Sequence, residues 1–411
     1  MTELLKNPSA FEAALENAFT ARSNANETAE AAFDRFAAQR LPNRRIEGWK
    51  WSDFNAALRA SAPDGAGTAK AIAPSPFAAL NPIEIQIVNG RINAPMDDQP
   101  KGLRFGVMEA MGTIPELEIH PIVSLNVAMT AKSFGLEVKE GVALDRPILI
   151  RHIDEGGGLS FGQTMLRIGV GAAATVIETY EGAGAALASH VCHMVVRDRG
   201  RFNRLVLSDT GAGAVNHAIV AAKLEAGSVY EQTSLSTGAK LSRHETLLHF
   251  WGEDGEARVD SAALLTGEAH ADFTTHVLHK KPGCAVRQLH KGVAADRGRA
   301  VFQGKFEVER AAQKTDAQMT ANALLLSDRA EANHKPELEI YADDVECAHG
   351  STCGALDDAA LFYLRQRGLS ERQARALLIE AFAGEVVDGI EEEKLRAVFA
   401  ARVAAWLEDQ S

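Results

Sequence analysis

Hydrophobic positions change period twice along the chain. Over residues 9–40 they fall every three or four places, at Phe11, Ala14, Leu15, Ala18 and Phe19, then at Phe33, Phe36 and Ala37. That spacing predicts helix, and Ser9 with Glu12 forms a capping box at its start. Residues 60–82 are rich in Ala, Pro, Gly and Ser and read as a linker. From about 83 to 345 short apolar runs alternate with glycine-bearing turns, among them Ile83-Glu84-Ile85-Gln86-Ile87-Val88, Pro147-Ile148-Leu149-Ile150, Arg204-Leu205-Val206-Leu207 and Leu247-Leu248-His249-Phe250. Each run has strand length, so this is a long β region of many short strands.

A sandwich wants strict in/out alternation over six or more residues. Many runs here are only three or four residues long, which suits rungs stacked in a β-solenoid. Leu248, Leu264, Val277 and Lys291 are spaced by 16, 13 and 14 residues. Elsewhere the spacing drifts and shows no fixed repeat.

The helical period returns after about 356. Asp357 is a good N-cap, and Gly368 sits where a glycine ends a helix. Ser370 with Gln373 opens a second helix carrying Leu377, Leu378, Ala381, Phe382 and Val386; a last one carries Leu395, Val398, Phe399, Val403 and Trp406. The expected organisation is a helical region with linker over 1–80, a β core over 81–355 and a helical domain over 356–411.

Composition narrows the class. The 411 residues are 46% hydrophobic and 24% charged, as in a folded globular protein, with a formal charge of −12. That balance supplies no basic field for nucleic acid. The first residues lack a basic flank followed by an apolar run, and no stretch has the length of a membrane span. Cys192, Cys284, Cys347 and Cys353 include no C-x-x-C pair. A cytoplasmic chain with reduced thiols is expected.

Several motifs fail on inspection. There is no G-x-x-x-x-G-K-[ST]. Gly169-Val170-Gly171-Ala172-Ala173-Ala174 matches a dinucleotide fingerprint, but β-branched Thr175-Val176-Ile177 follows where a helix is needed. His244-Glu245-Thr246-Leu247-Leu248-His249 has one residue too many for H-E-x-x-H, and on a strand its histidines face opposite sides. Six of the thirteen histidines lie between His244 and His290, which suggests either a metal or imidazoles meeting backbone carbonyls and solvent on successive rungs. His190-Val191-Cys192-His193 is open to the same two readings.

The sharpest constellation is Val345-Glu346-Cys347-Ala348-His349-Gly350-Ser351-Thr352-Cys353-Gly354. On a strand, Cys347 and His349 share a face. Thiolate beside imidazole suits iron, zinc or copper(I). It also describes a cysteine hydrolase, and a buried cysteine next to a turn histidine.

Residues 335–368, from Lys335-Pro336-Glu337-Leu338 through Cys347-Ala348-His349-Gly350-Ser351-Thr352 to Leu364-Arg365-Gln366-Arg367-Gly368, resemble the SufB/SufD family of iron–sulfur cluster assembly proteins. The likeness continues through Ala381-Phe382-Ala383-Gly384-Glu385. Leu41-Pro42-Asn43-Arg44-Arg45-Ile46-Glu47-Gly48-Trp49-Lys50-Trp51-Ser52-Asp53 is similar to a segment of the family's SufD branch. Ala348 and Ser351 depart from the family's Ser-His-Gly-Ala-Thr, and Cys353 replaces an aliphatic residue.

The resemblance implies a mainly β chain: a right-handed parallel β-helix between helical ends. It implies a non-catalytic subunit that pairs with a SufB-like chain through the β-helix and recruits a SufC-like ATPase through its C-terminal helices. A transient iron–sulfur cluster would be shared with the SufB-like chain, through His349 and a less certain Cys347, with no nucleotide on this chain. Pairing of two copies in isolation fits the same core. Phe362, Leu364, Leu377, Leu378 and Phe382 are the candidate ATPase contacts; their plainer role is to pack and cap the solenoid. A purely architectural scaffold and a β-helix enzyme acting on carbohydrate are the competing readings.

Overall fold

The computed structural model describes residues 5, 7–22, 25–61, 72–95 and 99–409. The chain opens with helices α1 (Ala10–Thr20), α2 (Glu27–Gln39) and α3 (Phe54–Leu58), then strands β1 (Ile83–Val88), β2 (Arg91–Asn93) and β3 (Leu103–Glu109). Helices α4 (Pro115–Glu118) and α5 (Pro121–Met129) precede β4 (Lys132–Val138), β5 (Ile148–Ile153), β6 (Leu159–Ile168), β7 (Ala173–Gly182), β8 (Leu187–Val196) and β9 (Arg201–Thr210). Next come β10 (Val215–Leu224), β11 (Val229–Ser236), β12 (Leu241–Phe250), β13 (Glu256–Leu265), β14 (His270–His279) and β15 (Ala285–Ala294). The series ends with β16 (Arg299–Val308), β17 (Asp316–Leu325), β18 (Glu331–Ile340), β19 (Glu346–Gly354), α6 (Asp358–Gln366), α7 (Glu371–Val387) and α8 (Glu393–Asp409). Of the linker expected over 60–82, residues 62–71 lie outside the described residues, and Ala78–Leu80 form a 3-10 turn.

From β4 onward, successive strands alternate between two sheets. Odd strands from β5 to β19 stack in one and even strands from β4 to β18 in the other, giving a parallel β-solenoid of about eight turns. The repeat is real but uneven. Ala173, Arg201, Val229, Glu256 and Ala285 stand in register at steps of 27 to 29 residues, and Asp316 and Glu346 follow at 31 and 30. The spacing of 16, 13 and 14 measured half-turns between different sheets, which is why no period emerged.

Three apolar layers result. Inward side chains such as Val220, Leu248, Phe273, Val286 and Phe302 fill the solenoid. Outward residues of the even sheet, Val215, Ile219, Leu241 and Leu247, pack under α1, α2 and α5. Outward residues of the odd sheet, Leu205, Leu235, Leu264 and Val293, pack under α7 and α8 through Ile379, Val386, Phe399 and Trp406. The single helix expected over 9–40 is broken between Thr20 and Glu27. Asn26 restarts it by accepting from Ala29 N–H at 2.9 Å, and the turn brings Phe33 to stack on Phe19 at 4.2 Å.

The tryptophan segment is a clamp on the even sheet. Trp49 is buried, with the Arg243 guanidinium 4.0 Å from its ring centre. Arg243 also donates to Gly48 O and to Asp272, each at 2.8 Å, and Ser52 donates to the same carboxylate. Lys335 closes the clamp on Glu47 at 2.9 Å.

The helix ends read from sequence hold. Ser9 and Ser370 both make reciprocal capping boxes, Asp357 caps α6, and Gly368 follows α6 at φ +93°. Ser370→Ala is expected to lower stability by about 1 kcal/mol in urea titration, because it strands an N–H at the start of α7. Gly171 turns at φ +61° straight into β7, so the fingerprint-like run has no helix to hold a phosphate. No helix among the described residues is long and apolar enough to cross a membrane.

Candidate functional site

The two ends of the solenoid differ. At the start, β1 pairs with the three-residue antiparallel β2, and β4 with antiparallel β3. The Gln99 side chain satisfies both the N–H and the C=O of Phe105 on β3. At the other end β19 pairs only with β17 and β18 only with β16. Their outer edges, 9 and 10 residues long, have no strand partner among the described residues. Long open edges of this kind are templates for pairing with another chain.

β19 carries the predicted pair. Cys347, His349, Ser351 and Cys353 stand in register with Ala317, Met319, Ala321 and Ala323, three of which lie in the solenoid core. All four therefore face the inner side, where no further turn covers them. His349 and Cys353 are exposed. Cys347 is half-buried against Val308, Ala312 and Ala342, and burial pushes its thiol up. A raised thiol is a poor ligand until it is exposed or paired with a cation. So the imidazole is presented at the mouth and the thiol is withheld behind it.

The β18 side adds a residue that the motif did not show. His334 Nδ1 lies 2.9 Å from Ser351 Oγ across the mouth. The signal for it was the parity of β18, legible only once the strand register is known.

The five C-terminal residues divide. Phe362 and Leu377 are 65% and 44% exposed, and Tyr363, which the sequence reading passed over, is 58% exposed. Leu364, Leu378 and Phe382 are half-buried; Phe382 packs against the odd sheet's outer core with Lys291 Nζ 4.6 Å from its ring centre.

Among the described residues the histidines between His244 and His290 have no backbone-carbonyl partner, while His276 is partly open to solvent, as one reading allowed. Their partners are hydroxyls, carboxylates and rings. His276 Nε2 lies 3.1 Å from Glu307, His290 meets Ser261, and His279 stacks on Phe250 at 4.8 Å. His244 sits inside between Tyr180 and Phe273, while His249 faces outward on the same strand, so the pair cannot share an ion. His190 and Cys192 also point inward while His193 points outward, and burial pushes the Cys192 thiol up to about 12.

His120, His217 and Glu245 do converge. Both imidazole Nε2 atoms lie 2.9 Å from Glu245 Oε1. But His120 Nδ1 accepts from Val123 N–H at the start of α5, which puts its proton on Nε2. Arg243 already neutralises the carboxylate, with Nε 3.0 Å away. The group is a hydrogen-bonded anion that ties α5 to the sheet. A largely apolar cavity of about 580 Å3 lined by Met165, His193, Leu247, His249 and Trp251 lies on the outer face of the even sheet, across β6, β8, β10 and β12.

Comparison with known proteins agrees with this architecture. A family model described as "SUF system FeS cluster assembly, SufBD core domain" matches residues 151–382. The chain is 31% identical over 382 residues to the iron–sulfur cluster assembly protein SufD of Escherichia coli, covering 89% of each chain. A SufBD family protein of Synechocystis is 42% identical over 161 residues, covering 39% of this chain and 36% of its own. The chloroplastic protein ABCI7 of Arabidopsis thaliana is 30% identical over 271 residues, covering 63% and 57%. With a parallel β-solenoid between helical ends and a match along nearly its whole length, the chain belongs to the SufB/SufD family of the SUF system for iron–sulfur cluster assembly and is SufD-like.

Proposed function

We propose that this chain is the SufD-like, non-catalytic subunit of a scaffold in which a SufB-like chain docks on the open edges of β18 and β19. A nascent iron–sulfur cluster forms at that boundary. His349 offers it an imidazole, and Cys347 offers a thiol that becomes available when the boundary shifts. The observation that supports this reading is the terminal rung: His349 faces the mouth of an uncovered solenoid end, on a strand with a free edge. Imidazole binds cluster iron less firmly than thiolate does, which suits cargo that must leave.

A SufC-like ATPase docks on the helices at 356–411, with Phe362 and Leu377 as contacts and Leu364, Leu378 and Phe382 supporting them from below. Closure of the ATPase pulls on α7 and α8. Those helices are bonded to the odd sheet, where Lys291 pairs with Glu385 at 2.5 Å, so the pull reaches the boundary as a small rigid-body shift. Nucleotide chemistry stays on the ATPase. In the absence of the sister chain, two copies pair through the same edges.

His349→Ala is expected to reduce anaerobic cluster formation in the reconstituted complex at least tenfold, read by visible absorbance, while the subunits still elute together. Undiminished cluster formation sinks the ligand role and leaves the chain as architecture alone.

A further inference from the structure

The apolar cavity on the outer face of the even sheet stands apart from the terminal rung. Its floor is one row of outward side chains in register across four strands: Met165 on β6, His193 on β8, Ala221 on β10 and Leu247 on β12. Two residues further along β10 and β12, Lys223 and His249 stand opposite each other and also line it. Residues 111–116, which lead into α4, form a roof facing this floor. A volume of about 580 Å3 lies within the range of small-molecule sites, about 300–1,000 Å3.

The roof is firm at one end and loose at the other. Gln163 bonds to both the N–H and the C=O of Met111, each at 3.1 Å. Farther along, Thr113 Oγ1 lies 3.4 Å from His193 Nε2, and Glu116 Oε1 lies 3.9 Å from His249 Nδ1. Both separations are longer than a firm hydrogen bond. The other nitrogen of each ring, His193 Nδ1 and His249 Nε2, is buried with no partner among the described residues. Burial pushes both rings down to about 4, so they are neutral at pH 7. Lifting the loose end of the roof breaks only weak contacts and gives a ligand access to a ring nitrogen beside an apolar floor.

The mouth is aromatic and cationic. Trp251 is 45% exposed, with the Lys223 and Lys280 ammoniums 5.0 and 4.9 Å from its ring centre. Each ammonium meets a carboxylate at long range, Glu225 at 3.5 Å and Glu309 at 3.9 Å. An ammonium carries three donors, so both keep protons for an anion. Glu116 is the carboxylate among the lining residues, and it sits on the roof.

We infer that this cavity binds a free amphiphile with one anionic head, of the fatty-acid class. The head meets Lys223, Lys280 and His249 beside Trp251, and the tail lies along Leu247, Ala221 and Met165 under the roof. A methionine on the wall adapts to tails of varied shape. The site lies on β6 to β12, away from the open edges of β18 and β19, and does not depend on the cluster chemistry proposed above.

The test titrates the purified full chain at pH 7 with anilinonaphthalene sulfonate, then displaces the dye with decanoate below its micelle concentration. One equivalent of dye is expected to bind, and decanoate to displace it. Met165→Glu sets a carboxylate on the floor and should weaken decanoate about tenfold. Lys223→Gln should weaken it about fivefold, and decanol should bind about tenfold less tightly than decanoate. Both substituted side chains are partly exposed, so each variant should keep the parent's unfolding midpoint. His349→Ala should leave decanoate binding within about twofold, because the two sites share no residue, so failure here and failure of the cluster reading are told apart. Unchanged affinity in Met165→Glu overturns the site, as does the absence of saturable binding. Decanol as tight as decanoate overturns the anionic head. Capture of the chain by phosphatidylglycerol vesicles, without affinity for monomeric decanoate, would make this face a membrane contact and overturn the inference as well.

Discussion

Lowering the pH from 7 to 5 is expected to unfold the purified chain cooperatively. Burial pushes His193, His217, His270 and His279 down to about 4 and His244 to about 3. In the unfolded chain each titrates near 6.5. The folded values lie below the unfolded ones, so between pH 6.5 and 4 the unfolded state binds more protons. The stability these neutral rings contribute is fully present above 6.5 and is lost as pH falls through that window. Glu245 accepts from His217 and draws its value upward, but burial outweighs it. Each extra proton is worth ~1.4 kcal/mol per pH unit, so the four groups near 4 give a slope of about 5 kcal/mol per unit around pH 5. A fold stable by roughly 5–15 kcal/mol is exhausted within a few units at most. Trp49 packs beside both His120 and His217, so its fluorescence should report the transition. Urea midpoints that stay flat from pH 7 to 5 would show that these rings are hydrated or already charged in the fold.

Removing Arg204 is expected to cost about 3–5 kcal/mol. Its guanidinium lies inside the solenoid and donates to both oxygens of Glu178 at 2.9 and 2.8 Å and to Gln232 at 3.0 Å. Tyr180 donates to the same carboxylate at 2.9 Å. Burial alone would push Glu178 up, yet Arg204 holds it at about 2. Arg204→Ala leaves a carboxylate in the core without its cation, and the penalty is the charge rather than the lost contact. Glu178→Gln with Arg204→Met, which removes both charges and keeps the volume, should recover most of the loss. A single-variant cost under ~1 kcal/mol in urea titration would mean that water reaches Glu178.

The sequence disclosed elements better than their arrangement. Capping residues are local chemistry, so Ser9, Asp357, Gly368 and Ser370 could be read directly. Strands were found where three apolar residues ran together, as at Ile148–Ile153. β18, with Pro336, Lys335 and three glutamates, gave no apolar run at all and is held by pairing with β16. The solenoid's repeat stayed hidden because turns vary from 27 to 31 residues and because each rung presents one face inward and the next face to helices. That Cys347 and His349 share a strand face was legible because they lie two apart on β19. Ser351 with His334, and His290 with Ser261, were not, since each pair joins different strands, 17 and 29 residues apart. Arg243 beneath Trp49 was hidden for the same reason: the two are 194 positions apart in the chain and meet only after the N-terminal segment folds back.

The unlike ends of the solenoid set a limit on assembly size. A stack with two bare ends would add copies without stopping and grow into a fibre. Here the first rungs finish in a three-residue strand and in a strand where Gln99 meets the backbone of Phe105, so that among the described residues the long open edges are those of β18 and β19. Any union through β18 and β19 would cover those two edges on each participant. Growth by that route halts at two, whichever chain the second happens to be.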